Sequence, residues 1–123
     1  MTPDELADRL LRFAARVCKV AEALPDTRLG RHVAGQIIRS GTSPAPNYEE
    51  ACAAESRADF LHKMKVVLKE LRETRCWLRL IIMTELLVEA RLADLIEEAN
   101  QSCNIIGQSI VTANQKRPPN TET

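Results

Sequence analysis

Phe60-Leu61-His62-Lys63-Met64-Lys65-Val66-Val67-Leu68-Lys69-Glu70-Leu71-Arg72-Glu73-Thr74-Arg75-Cys76-Trp77-Leu78-Arg79-Leu80-Ile81-Ile82 carries the clearest periodicity in this chain. Phe60, Met64, Val67, Leu71, Thr74, Leu78 and then Ile81 or Ile82 advance by steps of four and three. That spacing keeps returning to one face of an α-helix, which turns once every ~3.6 residues. Lys65, Lys69, Arg72 and Arg79 fall on a different face, and Ser56 is placed to cap the helix start. One amphipathic helix cannot cover its own apolar stripe, so the rest of the chain must supply partners.

Working outward, Thr2-Pro3-Asp4-Glu5 opens a first helix, with Thr2 as cap, Pro3 at the first helical position and Glu5 completing a capping box. Leu6, Leu10, Phe13, Val17, Val20 and Leu24 continue it as a heptad seam, and Pro25-Asp26 ends it. A second helix begins after Thr27 and runs through Leu29, Val33 and Ile37 into Ser40-Gly41-Thr42-Ser43-Pro44-Ala45-Pro46. Each proline lacks an N–H and crowds a preceding carbonyl, so a kink or break is expected; local signals alone describe a loop. Helical composition resumes from Tyr48 to Ala54. Past a short connection at 84–88, Leu92, Ile96, Ala99, Cys103, Ile106, Ile110 and Ala113 form the fourth seam. The closing residues, Lys116-Arg117-Pro118-Pro119-Asn120-Thr121-Glu122-Thr123, have no apolar face. The expected organisation is a bundle over residues 1–114 and a disordered tail over 115–123.

Four seams with short connections predict an all-α, antiparallel up-down-up-down four-helix bundle. Apolar residues flanking the seams, such as Leu11, Leu61, Leu68, Leu95 and Ile105, widen the stripes beyond the ~100° a monomer needs. The widening predicts a second buried contact, most simply another copy of the chain.

Composition agrees and excludes several classes. A chain of 123 residues is one domain by default. Aromatic residues make up only 3%, against the habit of β-rich domains. Seventeen basic and seventeen acidic side chains cancel, so no global field draws the protein to nucleic acid or membrane. The charges are nevertheless patchy: residues 63–79 hold six basic side chains against Glu70 and Glu73, and residues 80–101 hold five acids against Arg91. Such patches fit charges that meet across helices or subunits, and equally fit ordinary solvated faces. Cys18, Cys52, Cys76 and Cys103 form no close pair, which argues against metal knuckles and redox motifs and predicts buried, reduced thiols. The N-terminus lacks the basic start of a signal peptide, and no stretch approaches the ~20 apolar residues of a membrane span. The expected compartment is the cytoplasm.

Two blocks then resemble a known family. Arg39-Ser40-Gly41-Thr42-Ser43 followed by Asn47-Tyr48-Glu49-Glu50-Ala51 is similar to the pattern R-S-G-T-S-x-x-x-N-x-x-E-A of the four helix bundle proteins, which include the 23S rRNA intervening-sequence proteins. Lys69-Glu70-Leu71-Arg72-Glu73-Thr74 with Trp77-Leu78 resembles the K-E-x-x-E-T-x-x-W-L of that family's third helix. The likeness covers nearly the whole chain apart from the tail. Pro44, Pro46 and Cys76 depart from it, and the prolines bear on the straightness of helix two. The resemblance implies antiparallel bundles assembled as ring-shaped homopentamers, with no established enzymatic activity. A related accessory protein of diversity-generating retroelements binds nucleic acid and a reverse transcriptase.

The residues offer little chemistry. A di-iron bundle needs Glu-x-x-His on two helices, whereas Asp59-Phe60-Leu61-His62 is a lone half-motif and His32 has Leu29 three positions before it. Ser43 has no histidine near it in sequence to act as base, and the glycines form no phosphate-cradling loop. No metal, cofactor, small-molecule substrate or catalytic residue is therefore expected. Arg39, Ser43, Asn47, Glu50 and Glu70 are expected to form a polar network at a helix or subunit boundary, with ligand binding and catalysis as weaker alternatives. Lys65, Lys69, Arg72 and Arg79 are the candidate nucleic-acid contacts, strengthened by avidity in a ring. The leading expectation is a non-enzymatic oligomeric interaction or scaffold protein; the runner-up is a nucleic-acid-binding ring.

Overall fold

The computed structural model describes residues 1–115. The predicted tail lies outside them except for Gln115, which closes the last helix. Among the described residues all regular structure is helical: α1 (Pro3–Ala23), α2 (Arg28–Thr42), α3 (Pro44–Cys52), α4 (Arg57–Met83) and α5 (Ala93–Gln115), with a 3-10 turn at Glu89–Arg91 before α5.

The helix starts follow local chemistry. Thr2 and Glu5 bond reciprocally, the Thr2 hydroxyl accepting the Glu5 N–H at 3.1 Å and the Glu5 carboxylate accepting the Thr2 N–H at 3.2 Å. Thr27 accepts from the Gly30 N–H at 3.0 Å, and Ser56 from the Asp59 N–H at 3.0 Å. A Cβ on Gly30 would sit 2.0 Å from the Pro25 carbonyl oxygen, so this tight corner admits only glycine. At the end of α4, Leu86 N–H donates to Ile81 O at 3.1 Å and Glu85 N–H to Ile82 O at 3.0 Å. This is a Schellman cap, with Glu85 at φ 58 where glycine is usual.

The segment whose local signals describe a loop is helical. Ser43 keeps right-handed helical angles (φ −76, ψ −38), and Asn47 N–H donates to its carbonyl at 3.2 Å. Proline's fixed φ suits the first turn of α3, and burial of Pro44, Ala45 and Tyr48 holds the turn in place. The ladder is interrupted at Ser43, yet α2 and α3 together supply the second of four rods.

The core draws on all four rods, with Leu10, Phe13, Val17, Val33, Ile37, Met64, Leu71, Leu78, Leu92 and Ile106 almost wholly buried. Each such side chain contributes about 1.5–3 kcal/mol on removal from water. The arrangement is consistent with a four-helix bundle. α1 packs on α2, α3 and α5, and α4 packs on α2, α3 and α5, so α1 and α4 face each other across the core. Among the described residues no helix is long and apolar enough to cross a membrane.

Two sequence expectations need correction. Leu95, assigned to a flanking stripe, is a core residue at 3% exposure, while its neighbour Ile96 from the predicted seam is only half-buried. Both are apolar and adjacent, so periodicity alone could not rank them. Of the flanking residues, only Leu11 is largely exposed; Leu61, Leu68 and Ile105 are half-buried. The cysteines are all free, but only Cys103 is buried: Cys52 and Cys76 lie on outward helix faces, and Cys18 is intermediate.

Candidate functional site

The polar residues singled out by sequence divide into three separate arrangements. The first lies between α2 and α4. Arg39 extends from α2 and donates to Glu70 at 3.1 Å and to Glu73, both on α4. The Glu70 side chain is 7% exposed, while Arg39 is 51% exposed and its outer edge stays wet. Glu73 also accepts from Trp77 Nε1 at 3.0 Å, and His32 meets the Trp77 ring edge-on at 6.0 Å between centroids. Beneath this layer the Ser40 and Thr74 hydroxyls lie 2.9 Å apart, and Thr74 donates to the Glu70 carbonyl at 2.8 Å. With its one proton spent there, Thr74 must accept from Ser40. The result is a buried hydroxyl pair under a surface-facing ion cluster.

Ser43 and Asn47 form the second arrangement, which among the described residues shares no hydrogen bond with Arg39. Asn47 Nδ2 donates to the Ser43 carbonyl at 3.0 Å and to the Ser43 hydroxyl at 2.9 Å. It thereby braces the helical turn in which the two prolines have removed N–H donors. Glu50 forms the third, accepting from Lys63 at 2.7 Å and tying α3 to the start of α4. This bond raises the pKa of the Lys63 amine. Arg39 thus bonds to Glu70, while Ser43 with Asn47 and Glu50 with Lys63 form separate hydrogen-bonded groups.

Sequence reasoning missed a fourth cluster. Arg9 on α1 grips Glu98 on α5 with two bonds, Nε to Oε2 at 2.6 Å and Nη2 to Oε1 at 2.9 Å, and also donates to Gln101 at 2.8 Å. Ser102 adds a fourth bond, to Glu98 at 3.2 Å. Hydrogen bonding from Arg9 holds the Glu98 carboxyl below its usual pKa against the opposing effect of burial. The partners are 89 residues apart and no local pattern announces them.

Lys65, Lys69, Arg72 and Arg79 are all exposed and follow one outward stripe of α4, with Cys76 between Arg72 and Arg79. Lys69 approaches Glu70 at 3.9 Å; among the described residues the other three make no ion pair. Burial first, and the Cys52 thiol second, push the pKa of the Tyr48 hydroxyl up, as expected of a packed side chain and not a reactive one. Burial likewise raises the Cys103 thiol. Among the described residues no three His, Cys, Asp or Glu side chains gather to hold a metal, and no buried side-chain polar atom lacks a partner.

Comparison with known proteins agrees with this architecture. The sequence matches the family described as 23S rRNA-intervening sequence protein over residues 5–108. A crystal structure of a protein of unknown function from the S23 ribosomal protein family of Bacteroides thetaiotaomicron superposes with a TM-score of 0.80 at 33% identity. The similarity covers 85% of this chain and 97% of that one. No curated protein matches. With that match spanning most of the bundle, the chain belongs to the 23S rRNA-intervening sequence protein family.

Proposed function

We propose that this protein is a non-enzymatic, cytoplasmic interaction or scaffold protein of the rRNA intervening-sequence type, working as an oligomer of antiparallel four-helix bundles. The order of the contacts supports the antiparallel part. Arg9 meets Glu98, whereas Val20 lies beside Leu92 and Leu95. His32 meets Trp77 and Glu50 meets Lys63, so α4 runs back along α2 and α3. Arg75 meets Asn100 while Phe60 lines a groove with Ile105 and Thr112, so α5 runs back along α4.

The observation that carries the functional reading is how the family motif is used. Arg39 with Glu70 ties α2 to α4 and Glu50 with Lys63 ties α3 to α4, while Asn47 with Ser43 braces a turn within the second rod, so these side chains serve the bundle itself. Surface recognition is what remains for the fold to offer. Leu11 at 61% exposure and Met83 at 71% are apolar side chains suited to cover by another subunit. The family resemblance implies five subunits in a ring, and we adopt that number. Light scattering at micromolar concentration should give a mass well above 13.8 kDa; a single-chain mass removes the reading.

A second reading has one observation in its favour. The exposed stripe of Lys65, Lys69, Arg72 and Arg79 would be repeated around a ring and could line up phosphates. Gel shifts with single- and double-stranded RNA and DNA should then weaken as salt rises. Absence of any shift at low salt disposes of it.

A further inference from the structure

We infer that the basic stripe of α4 docks into an acidic groove between α1 and α3 of a second copy of this chain, joining copies head to tail. The inference rests on the oligomeric reading above and adds which surfaces meet. The groove has Leu11 and Pro46 as its apolar lining and Asp4, Asp8 and Glu49 around them, with no cationic side chain in its wall. Asp8 reaches Arg12 at 2.8 Å, but that pair is largely solvated, with side chains 55% and 78% exposed. Such a pair is worth little and rearranges readily. Asp4 and Glu49 make no ion pair among the described residues.

The complementary surface is the stripe itself. From Lys65 to Arg79 it runs about 21 Å along the helix. Arg72 and Arg79 flank the small exposed Cys76, and Met83 continues the same face as an exposed apolar knob. A cationic ridge with an apolar end therefore matches an anionic groove with an apolar floor.

Geometry decides how they can meet. α1 and α4 lie across the core from each other and the ridge is the solvent-facing side of α4, so the ridge of one chain does not reach the groove of the same chain. A two-fold contact of either patch with itself would oppose like charges. A head-to-tail contact uses each patch once per copy and satisfies both, and repeating it gives a ring when the rotation closes. The equal numbers of basic and acidic residues, seventeen each, suit an assembly in which every copy supplies both halves of the contact.

The test is charge reversal in the full-length chain, read by light scattering and by circular dichroism. Lys69→Glu with Arg72→Glu reverses the ridge, and Asp4→Lys with Glu49→Lys reverses the groove; all four positions are exposed. Each double variant should retain helical content and fall to the 13.8 kDa chain mass, and the chain carrying all four changes should reassemble. Should a reversal unfold the chain, neutral Lys69→Gln with Arg72→Gln serves instead, with an expected rise in dissociation constant on the order of tenfold and a weaker salt dependence. An oligomeric wild type whose reversed variants keep the full mass overturns the inference and leaves the oligomeric reading standing. So does a ridge reversal that abolishes nucleic-acid binding without changing mass, which assigns the ridge to nucleic acid. A four-fold variant that stays monomeric while the Lys69→Gln with Arg72→Gln variant assembles normally also overturns it. A wild type that is itself monomeric removes the underlying reading first.

Discussion

Gly41→Ala is the sharpest perturbation the packing offers. A Cβ built at Gly41 would lie 2.5 Å from Val17 Cγ1, 2.9 Å from Val17 Cβ and 3.0 Å from Cγ2. Val17 is fully buried in α1, so it has no solvent into which to move. Overpacking of this kind costs about 1–3 kcal/mol, whereas alanine in a helix gains about 1 kcal/mol over glycine. With Val17 unable to yield, the clash should win, leaving a net loss of up to about 2 kcal/mol and a thermal midpoint lowered by up to roughly 8 °C. Val17→Ala alone deletes two buried methyl groups and should cost about 2 kcal/mol. Combining the two opens room for the new methyl, but Val17 Cβ still crowds it at 2.9 Å, so relief is partial. The double variant should therefore be about 0.5–1.5 kcal/mol more stable than the sum of the single changes predicts. Urea denaturation followed by circular dichroism, at one fixed protein concentration so that association does not shift the midpoint, measures all four corners of the cycle. A Gly41→Ala chain more stable than wild type, or strict additivity, would show that α1 and α2 do not approach as closely as described.

Three further outcomes follow from other parts of the molecule. Arg39→Ala leaves the buried Glu70 carboxylate with only the distant Lys69 amine, and should cost about 1–2 kcal/mol given that solvent can reach the gap; Arg39→Ala in a Glu70→Met background should cost much less, and equal losses in both would argue against the pair. Glu85→Gly relieves the left-handed cap residue of α4 and should stabilise by about 0.5–1 kcal/mol in the same denaturation assay, so a loss would contradict the cap geometry. Glu98, with its pKa below the ordinary 4.5 through bonding to Arg9, binds its proton less readily folded than unfolded. Its contribution is present above about pH 4.5 and fades as pH falls through the lowered folded value. The stability gap between wild type and Arg9→Leu should accordingly narrow in acid, and a gap constant from pH 7 to pH 3 would refute the assignment.

The rods and their caps were legible because both are local. Leu6 to Val17 and Met64 to Ile81 face the core by helical spacing alone, and Thr2, Thr27 and Ser56 cap as their residue types dictate. The segment around Ser43 was not legible from propensity, since nothing local reveals that Asn47 will brace the turn and that Pro44 and Tyr48 will be buried. Arg39 with Glu70 could be anticipated because Glu70 sits beside seam residue Leu71. Arg9 with Glu98 could not, because the pairing depends on how α1 and α5 lie together. Gly41 gives no sign of its role in sequence either: its lack of a side chain matters only against Val17. Cysteine's general habit of burial misled at Cys52 and Cys76, where helix phase puts the thiols outward.

Self-association underlies the proposed role of this protein, and its mass in solution decides whether it occurs. Sedimentation equilibrium of the full chain at micromolar concentration and moderate salt should return five times 13.8 kDa. A folded species of 13.8 kDa at every concentration, with Leu11 and Met83 left in water, would contradict it.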